Sequence, residues 1–328
     1  MKNIRILHVV FSLLVTLCTH SVYAVGFQHR TLEGSGLEVG IWYPSTGKPT
    51  QASIGLVAQN VAANGPLEGD HLPLIVISHG TGSSFLGHYD TAIALAEAGY
   101  VVAAVTHAGD NYADQSRSAF IMDRPKQISL VIDYMVGSWK DHAQIDPARI
   151  GMFGFSAGGF TALVSIGGVP DLKQIVPFCR EHIGDFACQM LRRQTTAPLN
   201  LLAAQQTSVS DARIRAAVVA APALGFTFAG QGLQRVTVPV QLWRAEDDTL
   251  LPHPWYAEIV RAALPRAPEY HVVPNAGHFD FLAPCNAALT ERAPAICQSI
   301  PGFDRMAFHS TFNASVLGFF NKALRSTH

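Results

Sequence analysis

Gly154-Phe155-Ser156-Ala157-Gly158 is a G-x-S-x-G pentapeptide whose flanks decide how it reads. Before it, Arg149-Ile150-Gly151-Met152-Phe153 has the pattern of a short buried strand, led in by Asp146-Pro147. After it, Gly159 to Ile166 carries small residues suited to a helix start where backbones pass closely. A strand, a sharp turn and a helix lift the serine hydroxyl above a sheet. The same turn aims helix N-terminal N–H groups at developing negative charge. The glycines two before and two after Ser156 leave room for a backbone that bulkier side chains would hinder. An ordinary turn can carry the same five letters, so the strand before and the helix after mark Ser156 as a nucleophile.

Outward from this turn the chain alternates strands and helices. Leu72 to Ser78 is a continuous apolar run suited to a strand buried on both faces. Tyr100 to Val105, Ile214 to Ala220, Val238 to Trp243 and Tyr270 to Val273 read as further strands. Helical spacing marks Ala92, Leu95 and Ala96 (closed by Gly99), Lys126 to Lys140 and Trp255 to Ala263, with Met306 to Leu324 at the end. Residues 25 to 65 read as antiparallel β structure, and Asn60 to Asp70 as a polar loop. The alternation predicts an α/β domain over 25–328, a mostly parallel sheet with helices on both faces. Residues 167–213 break the pattern and are expected to form an inserted, lid-like segment or an extra surface helix pair.

A serine needs a base within hydrogen-bond reach and an acid that fixes the base's tautomer. In such a sheet both follow the serine, in the order Ser, Asp, His. His278 follows a glycine in the loop after Tyr270–Val273 and is the expected base. Glu246, Asp247 and Asp248 follow the strand ending at Trp243; Asp248, furthest into the loop, is the expected acid, with Asp247 its rival. An oxyanion hole would use the N–H of Ala157 and a second N–H from His79-Gly80-Thr81-Gly82-Ser83-Ser84, here Thr81. His79 precedes the serine and sits at the wrong strand for a base, so it is expected to brace that loop.

The chain resembles the α/β-hydrolase superfamily. Within it, the chain is similar to the predicted dienelactone-hydrolase group related to plasma-type platelet-activating-factor acetylhydrolases. The matching text includes Ile41-Trp42-Tyr43-Pro44, Ser78-His79-Gly80-Thr81-Gly82 and Ala96-Glu97-Ala98-Gly99-Tyr100-Val101-Val102. It continues through His107-Ala108-Gly109-Asp110-Asn111, Asp123-Arg124-Pro125, Gly154 to Gly159 and Gly277-His278-Phe279. The resemblance, over about residues 30–325, implies Ser156, Asp248 and His278 as nucleophile, acid and base, with Thr81 and Ala157 as oxyanion donors. Serine stands where true dienelactone hydrolases carry cysteine, so the lactone substrate is not implied. Segment 167–213, which would shape the acyl pocket, matches no motif.

Of 328 residues, 48% are hydrophobic and 14% charged, as in a globular protein with a large core. A formal charge of −1 provides no basic field for nucleic acid or anionic membranes. Residues 1–24 read as a secretory signal peptide: Lys2 and Arg5, an apolar stretch from Ile6 to Cys18, then Val22-Tyr23-Ala24. The apolar part is short for a span, so no stable membrane anchor is expected after cleavage. Cys179, Cys188, Cys285 and Cys297 remain; four cysteines allow three pairings, and the short separations favour Cys179–Cys188 and Cys285–Cys297. The expected protein is a secreted or periplasmic serine hydrolase of small or short-acyl carboxylic esters, without metal or organic cofactor. A serine peptidase or amidase on the same fold, and a non-catalytic binding protein, are the alternatives.

Overall fold

A computed structural model describes residues 23–194 and 209–325. The chain enters through β1 (Ala24–Thr31) and β2 (Glu38–Ser45), an antiparallel pair, then a hairpin of β3 (Thr50–Ile54) and β4 (Val57–Ala63). The strands that follow are β5 (Leu72–Ser78), β6 (Val101–Thr106), β7 (Ile145–Phe155), β8 (Ile214–Ala220), β9 (Val240–Ala245) and β10 (Glu269–Val273). Among the described residues their order across the sheet is β10-β9-β8-β7-β5-β6-β2-β1-β4-β3. β5 to β10 run parallel to one another, as the alternation with helices predicts, and β6 meets β2 antiparallel. The first region departs from expectation in one pairing, since β4 lies parallel to β1.

Strand alternation sends successive side chains to opposite faces. Leu74 and Val76 of β5 and Met152 of β7 enter one core; Ile75, Ile77, Phe153 and Phe155 enter the other. The helices are α1 (Tyr89–Glu97), α2 (Asp123–Gly137), α3 (Ala157–Ser165), α4 (Ile175–Glu181) and α5 (Phe186–Gln194), with Ala257–Ala263, Ala287–Arg292, Pro294–Cys297 and Arg305–Phe320 later. α2 and α3 cover the first face through Ile128, Val131, Phe160 and Leu163. α1 and Arg305–Phe320 cover the second through Leu95, Phe312 and Val316. Among the described residues no helix is long and apolar enough to cross a membrane.

Three boundaries moved for physical reasons. The polar loop expected from Asn60 begins only after β4, because Asn60 is the outward position of an alternating strand in which Val57, Gln59 and Val61 are buried. Gln59 is tolerated inside because its Oε1 accepts from Trp42 Nε1 at 2.9 Å. α2 starts at Asp123, three residues early, since Pro125 sits in a first turn whose N–H groups have no intrahelical partner. Trp139, inside the helix expected to run to Lys140, lies beyond its end, buried, with Nε1 donating to Gln28 Oε1 at 3.1 Å.

The described part of 167–213 is a helical pair, α4 and α5, tied by Cys179–Cys188 (Cα–Cα 5.4 Å). It is packed onto the body through Phe178, which stacks on Phe226 with centroids 3.7 Å apart. Tyr256 Oη also donates to Asp185 Oδ1 at 2.7 Å. Residues 195–208 lie outside the described residues, as does the expected signal peptide up to residue 22. Cys285–Cys297 forms the second local disulfide (Cα–Cα 5.7 Å), so both short pairings hold.

Candidate active site

Ser156 occupies the turn between β7 and α3 at φ 56°, ψ −118°, a region costly for any residue with a side chain. The surroundings over-determine it: Ser156 N–H donates to Ala220 O at 2.9 Å, and Ser156 O accepts from Ala223 N–H at 2.9 Å. The glycines serve close approach rather than unusual dihedrals, since neither has positive φ. A Cβ on Gly154 would lie 2.0 Å from Gly158 O, and one on Gly158 would lie 1.9 Å from Ser78 O. Helix α3 can therefore sit hard against β5 and β7 only with glycine at both positions.

Ser156, His278 and Asp248 come together at the C-terminal edge of the sheet. His278 Nε2 and Ser156 Oγ are 3.0 Å apart, and His278 Nδ1 lies 2.7 Å from Asp248 Oδ2. Asp248 Oδ1 accepts from Leu250 N–H at 2.9 Å and Leu251 N–H at 2.8 Å, which turns the side chain back toward the base. Burial opposes ionisation of Asp248, but His278 and the two backbone donors outweigh it and hold the carboxyl below its ordinary range. Asp247 is exposed, and Glu246 accepts from Asn275 N–H at 3.3 Å; neither meets His278.

Thr81 and Ala157 both line the cavity that opens over Ser156. Ala157 is the first residue of α3, where an N–H has no intrahelical partner. Gly80 brings the Thr81 loop close: a Cβ there would be 3.3 Å from Ser156 Cβ. His79 braces this loop, with Nδ1–H donating to Gly80 O at 2.6 Å and Nε2 accepting from His107 N–H at 3.0 Å.

Sequence reasoning missed the buried charges behind the loop. Asp110 Oδ1 accepts from Gly82 N–H at 3.0 Å, and Asp110 Oδ2 pairs with Arg124 at 3.1 Å. Arg124 also donates to His79 O, so one ion pair holds both ends of the Thr81 loop. Asp110 and Arg124 lie within text that carried the resemblance, yet no spacing rule gives them this task. Arg124→Ala should destabilise the fold by about 3–5 kcal/mol in urea denaturation, because Asp110 is left charged and unpaired in the interior. A loss below about 1 kcal/mol would contradict that account. On the other side, Asp280 accepts from Gly277 N–H at 2.8 Å and from Arg305 Nε at 3.0 Å, which anchors the turn carrying His278.

Buried histidines crowd this edge. Burial pushes the His88 imidazole down to about 3. Burial first, then Arg124, pushes His79 and His107 well below their ordinary value. These side chains stay neutral in the fold, while the unfolded chain protonates them below about 6.5. The unfolded state therefore binds more protons in that window, and stability falls as pH drops from about 6.5, by about 1.4 kcal/mol per pH unit for each histidine. Asp90 and Asp248, whose folded carboxyls are depressed, add losses of the same sign below about 4. The thermal midpoint should fall steadily between about pH 6.5 and 4; a flat profile there would contradict the neutral burial of His88.

The cavity over Ser156 has a volume of about 1020 Å³ and is walled largely by apolar side chains. The family model "Platelet-activating factor acetylhydrolase, isoform II" matches residues 44–128, a span that holds the Thr81 loop, Asp110 and Arg124 but not Ser156, Asp248 or His278. Among solved structures, a ferulic acid esterase from Streptomyces cinnamoneus is similar with a TM-score of 0.63 and 20% sequence identity, over 94% of this chain and 92% of that one. No curated protein matches the chain. The chain has the α/β-hydrolase fold that the sequence resemblance implied.

Proposed function

We propose that this chain is a serine hydrolase of carboxylic esters that works through an acyl-enzyme. The carrying observation is the continuous hydrogen-bonded path from Ser156 Oγ through His278 to Asp248, opening into the apolar cavity. His278 Nε2 takes the Ser156 proton as Oγ attacks the ester carbonyl, and Asp248 stabilises the imidazolium that forms. The tetrahedral oxyanion sits against Thr81 and Ala157 N–H, each such donor being worth ~3 kcal/mol in the transition state. His278 then gives its proton to the departing alcohol oxygen. Water, activated by the same histidine, releases the acid.

The similarity to an acetylhydrolase family and to an esterase supports an ester over an amide bond. The cavity is roomier than a short-acyl ester fills, so apolar esters with larger groups belong in the substrate class. Two local disulfides support the reading of residues 1–24 as a signal peptide and of the protein as secreted or periplasmic. A panel of chromogenic esters and matching anilides tests the bond cleaved. Ester turnover with little or no anilide turnover is expected; anilide turnover matching that of the esters would move the reading to an amidase.

A further inference from the structure

The cavity over Ser156 extends across the edge of the sheet from one face to the other. Its lining on the first face comes from Leu172, Ile175, Leu191 and Leu224, all members of the core under α2 and α3. On the second face it comes from Phe85, Leu86, Leu282 and Ile296, which belong to or pack on the core under α1. Ser156 lies between these two arms.

The second arm is a built pocket with no part in the triad. Its walls are the β3–β4 turn (Gly55, Leu56), the turn Phe85–His88 and the segment Leu282–Ile296. They are fastened to one another: Asn286 Nδ2 donates to Leu56 O at 2.7 Å, and Ala283 N–H donates to Gly87 O at 3.0 Å. Cys285–Cys297 closes the segment on itself. Leu289 and Ala293 are half-buried on this wall, so apolar surface is held open toward the cavity.

We infer that this second arm is the subsite for the alcohol half of the ester, and that it takes a large apolar alcohol. The inference rests on the ester-hydrolase reading above and on where the proton must go. His278 Nε2 has to reach the leaving oxygen, so the alcohol departs on the histidine's side of Ser156. That side is the second face: the His278 ring lies 4.8 Å from that of Phe155, and Phe281 and Leu282 just after it are buried in the second core. The wall of the arm is the continuation of the His278 segment itself. The acyl group, on the opposite side of the carbonyl carbon, then points into the first arm beneath α5, against Met190 and Leu191.

Octyl acetate and ethyl octanoate test the division, because they carry the same atoms with the long chain on opposite sides of the ester. The readout is the ratio of their kcat/KM values within each protein, which cancels any loss of active enzyme. Ala293→Trp, which fills the second arm, should lower the octyl acetate to ethyl octanoate ratio by about tenfold or more, and Leu289→Lys should move it the same way. Met190→Trp, on the first arm, should raise the ratio. Unchanged ratios, or shifts of the opposite sign, would overturn the assignment while leaving the hydrolase reading intact. A wild-type protein that cleaves neither ester, nor any ester of the chromogenic panel, would overturn both.

Discussion

Ser156→Ala is expected to remove about 10⁶-fold of the turnover, the scale on which nucleophile loss acts in other hydrolases with this triad. Among the described residues no other hydroxyl can substitute, because the elbow serine is the one that lies 3.0 Å from His278 Nε2. The fold should tolerate the change. The hydroxyl's bond is to the histidine, whereas the turn is held by the Ser156 backbone through Ala220 and Ala223. Alanine and serine bear similar strain at positive φ. A thermal midpoint near that of wild type, with ester turnover lost, is therefore the expected pair of results. Turnover close to wild type would take Ser156 out of the mechanism.

Asp248→Asn should cost up to about 10⁴-fold in kcat, with a far smaller effect for Asp247→Asn. An amide in place of the carboxylate presents an N–H where His278 needs an acceptor, so the imidazole turns its basic nitrogen away from Ser156. Geometry separates the two acids: Asp248 is buried 2.7 Å from His278 Nδ1, and Asp247 faces solvent. Steady-state kinetics on one activated ester decides between them. A larger loss in the Asp247 variant would transfer the acid's role to that residue.

What could be read from the sequence follows the range of the physics that encodes it. β5 carries an apolar run, and β8 one interrupted only by the exposed Arg215, whose ends coincide with the expected strands, because strands buried on both faces are written as near-continuous hydrophobic text. β4 is harder to delimit, because a half-exposed strand places polar residues such as Asn60 where a loop would. The elbow and the order Ser, Asp, His are local signatures, and the residues they select meet in space. The Asp110–Arg124 pair and the Asp280–Arg305 anchor join residues 14 and 25 positions apart, beyond any helix or strand period, and no motif announces them. The two-armed cavity was also illegible, since its walls come from segments that touch only after folding.

The proposed mechanism makes Ser156 a nucleophile activated by His278. Reaction of the folded protein with a fluorophosphonate, followed by peptide mass mapping, measures that directly. One adduct per chain is predicted, on the peptide holding Gly154-Phe155-Ser156-Ala157-Gly158, with labelling lost in Ser156→Ala and strongly slowed in His278→Ala. Folded protein that stays unlabelled, or an adduct on another residue that persists in Ser156→Ala, would contradict it.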